Sequence, residues 1–141
     1  MEQQNYQNHR KADPVFLGIV LTSFSVVILS IFFFINHVSS DWLLSTIVTL
    51  IAIIILLLSV KLRGYAVYLQ DRIIRNEENF RYYRLTGELL DSRLTLKQVI
   101  ALRFADDEEY LGLVERALSE NLSPDGIKKS VNNWKSDYHR V

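Results

Sequence analysis

No cysteine occurs in the 141 residues. Disulfides, thiolate metal sites and cysteine nucleophiles are thereby excluded, and the absence fits a cytoplasmic domain. Lys and Arg number 16, as do Asp and Glu, so the net charge is zero; a dedicated nucleic-acid binder would show a basic excess. No Gly-rich phosphate loop, nucleophile elbow or HExxH pattern is present. His9, His37 and His139 are scattered between a tail, a loop and the C-terminus and make no metal set. No internal repeat and no low-complexity tract appears, and no segment alternates like a strand.

The most informative absence is local. Val15–Ile35 and Trp42–Val60 contain no Asp, Glu, Lys, Arg or His. At a rise of ~1.5 Å per residue, each run is long enough as a helix to cross a hydrocarbon core of about 30 Å. Only Asn36 to Asp41 separate them. The first run exceeds the usual length of a signal-peptide core, and Val38-Ser39-Ser40 imitates a cleavage site poorly, so the run reads as an uncleaved anchor. Ion or proton translocation normally needs ionisable groups at depth, which are missing here. Gly18, Thr22 and Ser25 share one face of the first helix, and Ser45, Thr49 and Ala52 one face of the second. Such small-residue faces suit packing inside the hairpin or, on a sharper reading, oligomerisation in the membrane plane.

Charge supplies an orientation. Arg10 and Lys11 precede the first run, Lys61 and Arg63 follow the second, and the connecting loop has no Lys or Arg. The positive-inside rule places both termini in the cytoplasm and the loop outside. The expected location is a bacterial inner membrane, crossed twice, with Trp42 as an outer interfacial anchor and Tyr65 and Tyr68 at the inner end.

The remainder of the chain is polar and reads as helical. Leu62, Ala66, Leu69, Ile73 and Phe80 form a stripe that continues the second run as one amphipathic helix to about Leu85, capped by Gly87. Gly64 is a point where that helix can bend. Asp71/Arg75 and Glu77/Arg81 stand at i,i+4 spacing. Thr95 with Gln98 and Asp106 with Glu109 make two capping boxes. Tyr110, Leu113, Val114, Ala117 and Leu118 give one apolar face. Ser123 caps a last helix with Pro124 at its first position and a Leu122/Ile127 staple. Along that helix Ile127, Val131, Trp134 and Tyr138 form a stripe. The expected fold is all-α: a two-helix transmembrane hairpin whose second helix extends into a small cytoplasmic helical domain. Residues 1–13 form a disordered tail, 14–62 the hairpin (spans about 15–35 and 42–62), and 63–141 the helical domain.

Charge in this half comes in blocks: net +3 over 61–84, −5 over 85–126 and +3 over 127–141. Opposite signs in neighbouring blocks predict that the short helices fold back on the helix that precedes them. Basic residues also suit an anionic inner leaflet. Two groups are therefore candidates for a partner or a lipid head group: Arg72, Arg75, Arg81 and Arg84, whose planar forks suit phosphate, and Lys128, Lys129, Trp134 and Lys135, which resemble an interfacial helix. Pairing with nearby acids competes with the first reading, and a core Trp134 with the second. Tyr82 and Tyr83 are either stacking residues or core. Asp106-Asp107-Glu108-Glu109 offers four carboxylates but lacks the spacing of a calcium loop and sits where acids favour a helix N-terminus.

The strings Leu69-Gln70-Asp71-Arg72-Ile73-Ile74-Arg75, Arg84-Leu85-Thr86-Gly87, Arg93-Leu94-Thr95 and Ile100-Ala101-Leu102-Arg103-Phe104-Ala105 resemble a family of small bacterial membrane proteins of unknown function, found in Bacillus-like bacteria and relatives. The resemblance covers the chain from the first run to Trp134. It implies a two-span membrane protein with a cytoplasmic tail, and it assigns no activity and no functional residues. The sequence reads as a membrane-anchored, non-enzymatic helical interaction or scaffold module that uses no cofactor and no metal. Its partners are the lipid bilayer and a membrane or cytoplasmic protein or a second copy, with no nucleic acid. The alternatives are an anionic-lipid-sensing surface protein and, more weakly, a metal-dependent enzyme using Asp or Glu.

Overall fold

The computed structural model describes residues 5–8 and 13–136. Five helices follow one another: α1 (Pro14–His37), α2 (Trp42–Thr86), α3 (Leu96–Leu102), α4 (Asp107–Ser119) and α5 (Pro124–Ser130). The fold is all-α, two long apolar helices followed by a small helical bundle. The described residues divide into two compact units, one within 12–67 and one within 68–141 that also takes in the N-terminal segment.

In the first unit, Asp13 caps α1 by accepting from the Phe16 amide at 3.0 Å, and Pro14 occupies the first turn, where its missing N–H costs nothing. α1 ends in a tight turn in which the amides of Ser40 and Asp41 both donate to the His37 carbonyl. The second helix presents Ser45 and Ala52, both buried, and half-buried Thr49, as its small-residue spacing predicts. The Thr49 hydroxyl lies 3.2 Å from the Ser30 carbonyl of α1 and 2.9 Å from its own Ser45 carbonyl. The first helix departs from expectation. Gly18, Thr22 and Ser25 are exposed, and the buried residues are Ser23 and Ser30. These two share a face with Phe16, Val20 and Val27 at alternating steps of three and four, and their hydroxyls turn back to the Ile19 and Val27 carbonyls. Hydroxyl groups rather than glycine thus form the seam. At the other end of the hairpin Arg63 donates to Asp13 at 3.1 Å and lies over the Phe16 ring.

The second unit contains the bundle. α2 runs unbroken through Gly64 and stops at Thr86. Gly87 follows at φ +79°, its amide donating to the Tyr83 carbonyl at 2.7 Å; a left-handed residue at this position satisfies an orphan helix carbonyl, and glycine adopts it without a Cβ penalty. α3 carries the expected reciprocal capping box between Thr95 and Gln98, and the Gln98 amide also donates to the Leu122 carbonyl at 2.8 Å. α4 ends on Asn121 at φ +49°, with the Leu122 amide reaching the Ala117 carbonyl, the six-to-one bond of a Schellman cap. Ser123 caps α5 through the Gly126 amide. α3, α4 and α5 pack on one another around Leu102, Tyr110, Val114 and Ile127, all fully buried. The predicted α4 face is the one that enters the core, with Leu118 at its margin.

Two local expectations are corrected. The last helix does not continue through Trp134: Val131 is extended (φ −74°, ψ 120°), and the segment after it lies antiparallel to Phe104–Asp106. The Lys135 amide donates to the Phe104 carbonyl at 2.7 Å and the Asp106 amide to the Asn133 carbonyl at 3.1 Å. This pairing satisfies the backbone where the predicted stripe would have continued as helix; Tyr138 lies outside the described residues. Asp106 and Glu109 do not form a reciprocal box. Asp106 accepts from the Asp107 amide, and Glu109 instead accepts from the amides of Asn132 and Asn133. On α2, Leu69, Ile73 and Phe80 are exposed, and the bundle meets this helix at Glu78 and Arg81. Of the N-terminal tail only residues 5–8 are described, and there Tyr6 donates to Asp125 at 2.7 Å.

Ile127→Ala removes a fully buried side chain and is expected to cost about 2–4 kcal/mol of bundle stability. Leu89→Ala, at a residue 73% exposed, should change it by less than ~0.5 kcal/mol. Thermal unfolding of the detergent-solubilised chain, followed by Trp134 fluorescence in a Trp42→Phe background, checks both.

Candidate functional site

Arg81 joins α2 to the bundle. Its Nε donates to Asp107 Oδ1 at 2.7 Å, one Nη to the Ala105 carbonyl at 2.8 Å, and the other to Glu78 Oε2 at 3.4 Å. The guanidinium also lies over the Tyr110 ring, 4.0 Å from its centroid. Only 6% of Arg81 is exposed, and the planar fork with its five donors lets one buried cation serve three acceptors. Glu78 and Ile74, one and two turns earlier, are buried on the same face of α2, and Tyr82 packs at the margin of the core while Tyr83 is exposed. The acidic block thus folds back on the basic one, as the charge pattern predicts.

The electrostatics follow from burial and pairing. Burial holds the Glu78 carboxyl above its ordinary value of 4.5, against the lowering effect of Arg81. Asp107 is held below 3.8, chiefly by its hydrogen bond from Arg81. Burial pushes the Tyr110 phenol upward, and its hydroxyl donates to the Glu78 backbone carbonyl at 3.4 Å.

The eight residues singled out from sequence separate into distinct environments. Arg81 and Arg84 share Asp107, Arg84 at 3.5 Å and largely exposed. The charge of Lys135 also reaches Asp107 and Glu78. Lys128 and Trp134 meet on Phe104: the Trp134 ring is 5.0 Å from the Phe104 ring and the Lys128 ammonium 5.9 Å from it. Lys129 pairs with Asp125 one turn away at 3.0 Å. Arg72 and Arg75 are exposed and make no ion pair among the described residues. The expected Asp71/Arg75 and Glu77/Arg81 pairs are absent among those residues, since Arg81 turns inward to Glu78 and Asp107.

Sequence reasoning missed Glu78 as a buried acid, and Arg103, which is buried with its guanidinium 4.7 Å from the Phe104 ring centroid. Glu78 stands i,i+3 from Arg81, a spacing that Glu77 at i,i+4 matches in strength, so the sequence did not single it out. The carboxylates of Asp106, Asp107 and Glu109 are engaged in capping, in the Arg81 and Arg84 pairs and in the Asn132–Asn133 turn. Among the described residues no three His, Cys, Asp or Glu side chains cluster as a metal site would require. The arrangement can hold elements together and present cations; it does not pair a nucleophile with a base.

Arg81→Ala leaves Glu78 buried without its partner and should cost about 3 kcal/mol, whereas Arg84→Ala, at an exposed pair, should cost less than ~1 kcal/mol. The pH dependence has two limbs. Asp107, depressed in the fold, stabilises above its ordinary 3.8, and that contribution disappears as pH falls through its lower folded value. Glu78, raised in the fold, stabilises when neutral; its contribution is present below 4.5 and is lost as pH rises through its folded value. Thermal melts between about pH 3 and pH 8 should therefore show Glu78→Gln gaining on the parent chain with rising pH, and Asp107→Asn lacking the loss on the acid side.

No curated protein and no solved structure matches the chain. One family model does, and it spans residues 1–141 with two long apolar helices inside the match. The chain belongs to the family of unknown function DUF6526.

Proposed function

We propose that the chain is a membrane-anchored, non-enzymatic interaction module: α1 and α2 cross a bacterial inner membrane with both termini in the cytoplasm, and the helical region beyond the apolar runs docks a membrane or cytoplasmic protein or a second copy. The observation that carries this reading is the uncovered apolar surface of the first unit. Both helices are long and apolar enough to cross a bilayer, yet only 11% of either apolar window is buried. Contiguous apolar surface on that scale needs a covering phase, and a lipid core supplies one. The absence of Lys and Arg from the loop supports the orientation, and the engagement of the acidic run in caps and ion pairs supports a binding role over a metal-assisted one.

The cysteine-free chain makes the topology directly testable. It should stay in the membrane pellet through alkaline carbonate extraction. Ser39→Cys should react with an impermeant maleimide on intact spheroplasts, and Ser136→Cys only after lysis. Release into the supernatant would refute the anchor, and labelling of Ser136→Cys before lysis would refute the orientation.

A second reading, recognition of anionic lipid, rests on Arg72 and Arg75, exposed and without an ion pair among the described residues. It expects the purified chain to retain anionic lipid in a salt-sensitive manner. Replacing both arginines by glutamine should abolish that retention; unchanged retention rejects the reading.

A further inference from the structure

The stripe that α2 turns away from the bundle has an ordering of its own. Leu69, Ile73, Asn76, Phe80 and Tyr83 recur at alternating steps of four and three, and Leu62 and Ala66 continue the register backward along the same helix. This is the a/d pattern of a coiled coil, with Ala66, Ile73 and Phe80 at a and Leu62, Leu69, Asn76 and Tyr83 at d. At ~100° per residue, the stripe lies on the side of α2 nearly opposite the buried Ile74, Glu78 and Arg81, the last two of which contact the bundle. The four large apolar side chains between Leu69 and Tyr83 are all more than half exposed, Phe80 at 68%. The pattern extends over three heptads, as a coiled-coil assignment requires.

The flanking positions say what covers it. With this register Arg72 falls at g and Glu77 at e. In a parallel, in-register pair of helices a g residue meets the e residue five positions on in the other chain, so Arg72 of each copy meets Glu77 of the other, twice by symmetry. Both residues are exposed and, among the described residues, neither is engaged in an ion pair. Tyr65 at g likewise faces Gln70 at e. Asn76, the one amide in the stripe, would face its own copy only when the two helices are in register, the arrangement in which its hydrogen bonding is satisfied. A different partner would need a matching heptad and a matching charge pattern; a second copy of this chain has both. We propose that the chain forms a parallel homodimer through the 62–83 face of α2. This rests on the membrane-anchored interaction reading, since two copies inserted alike in one bilayer are bound to run parallel, and it names the partner.

The test uses the full cysteine-free chain in native-like nanodiscs or mild detergent. Single substitutions Asn76→Cys and Tyr83→Cys place a thiol in the stripe, and Arg75→Cys places one on an exposed flank. A short bis-maleimide should give a covalent dimer at 76 and 83 and about fivefold less at 75. Arg72→Glu or Glu77→Arg alone, which put like charges opposite one another, should weaken dimerisation by about fivefold, and the two together should restore it. A strictly monomeric mass, equal cross-linking at 75, or no rescue in the double variant overturns the parallel homodimer. Recovery of one copy of the chain with one copy of a different protein on this face also overturns it, while leaving the interaction reading intact. A monomer that retains no protein at all removes both.

Discussion

The contact on which the second unit depends is the guanidinium of Arg81. It is buried on α2, and each of its three acceptors ties down a different part of the bundle approach: Glu78 on the same helix, the Ala105 carbonyl at the end of the α3 turn, and Asp107 in the first turn of α4. A buried cation is costly unless its donors are satisfied. Here they are, and the Tyr110 ring adds a favourable face beneath the charge. Apolar side chains could supply comparable burial, but not the same directionality. A fork with three fixed acceptors sets the rotation of α2 against α4, where the apolar contact of Tyr82 alone would tolerate sliding.

That rotational setting decides which faces of α2 remain available. Turning 74, 78 and 81 inward necessarily turns 69, 73, 76, 80 and 83 outward, because the two sets lie on opposite sides of the helix. The apolar stripe is therefore exposed as a consequence of the polar face being buried. This inversion, charge inside and leucine outside, runs against ordinary burial preference and gives the stripe its meaning. A helix that had only to pack on the bundle would have put Leu69, Ile73 and Phe80 where Ile74, Glu78 and Arg81 now sit.

Much of the architecture is legible in the residues because it rests on local chemistry. The Gly87 stop, the Thr95/Gln98 box and the Ser123-Pro124 start are each decided within four residues, and each stands as the spacing implies. The Asn121 cap was open to the same reasoning, since Asn is the non-glycine residue that best tolerates a left-handed turn. What was not legible depends on contacts between elements distant in sequence. Nothing near Trp134 announces that its backbone will pair with Ala105 and end the helix early. Nothing in the Glu77-Glu78 doublet says which acid Arg81 will choose, because the choice is made by Asp107, 26 positions on. The Leu62–Phe80 periodicity shows that a face is apolar and not what covers it. Among the site residues, the cations around Asp107 come together as charge blocks imply, while Lys128 and Trp134 meet only because Phe104 stands between them.

The size of the bundle gives the exposed stripe a further role. Its core is built around short helices of seven, thirteen and seven residues, and several of the buried positions are alanine. A unit of this size buries a smaller fraction of its surface than a large domain does, and one of its main attachments to α2 is an ion pair whose net contribution is limited by desolvation. Covering Leu69, Ile73, Phe80 and Tyr83 by a second α2 would add aromatic and aliphatic burial to the helix that carries Arg81, with Phe80 and Tyr83 within one turn of it. Dimerisation and bundle docking would then be linked through one helix, since restraining α2 in the pair also holds Glu78 and Arg81 in the orientation the bundle requires. The linkage acts in both directions: loosening the Arg81 contact frees α2 to turn against the bundle, and the face that carries Phe80 and Tyr83 turns with it.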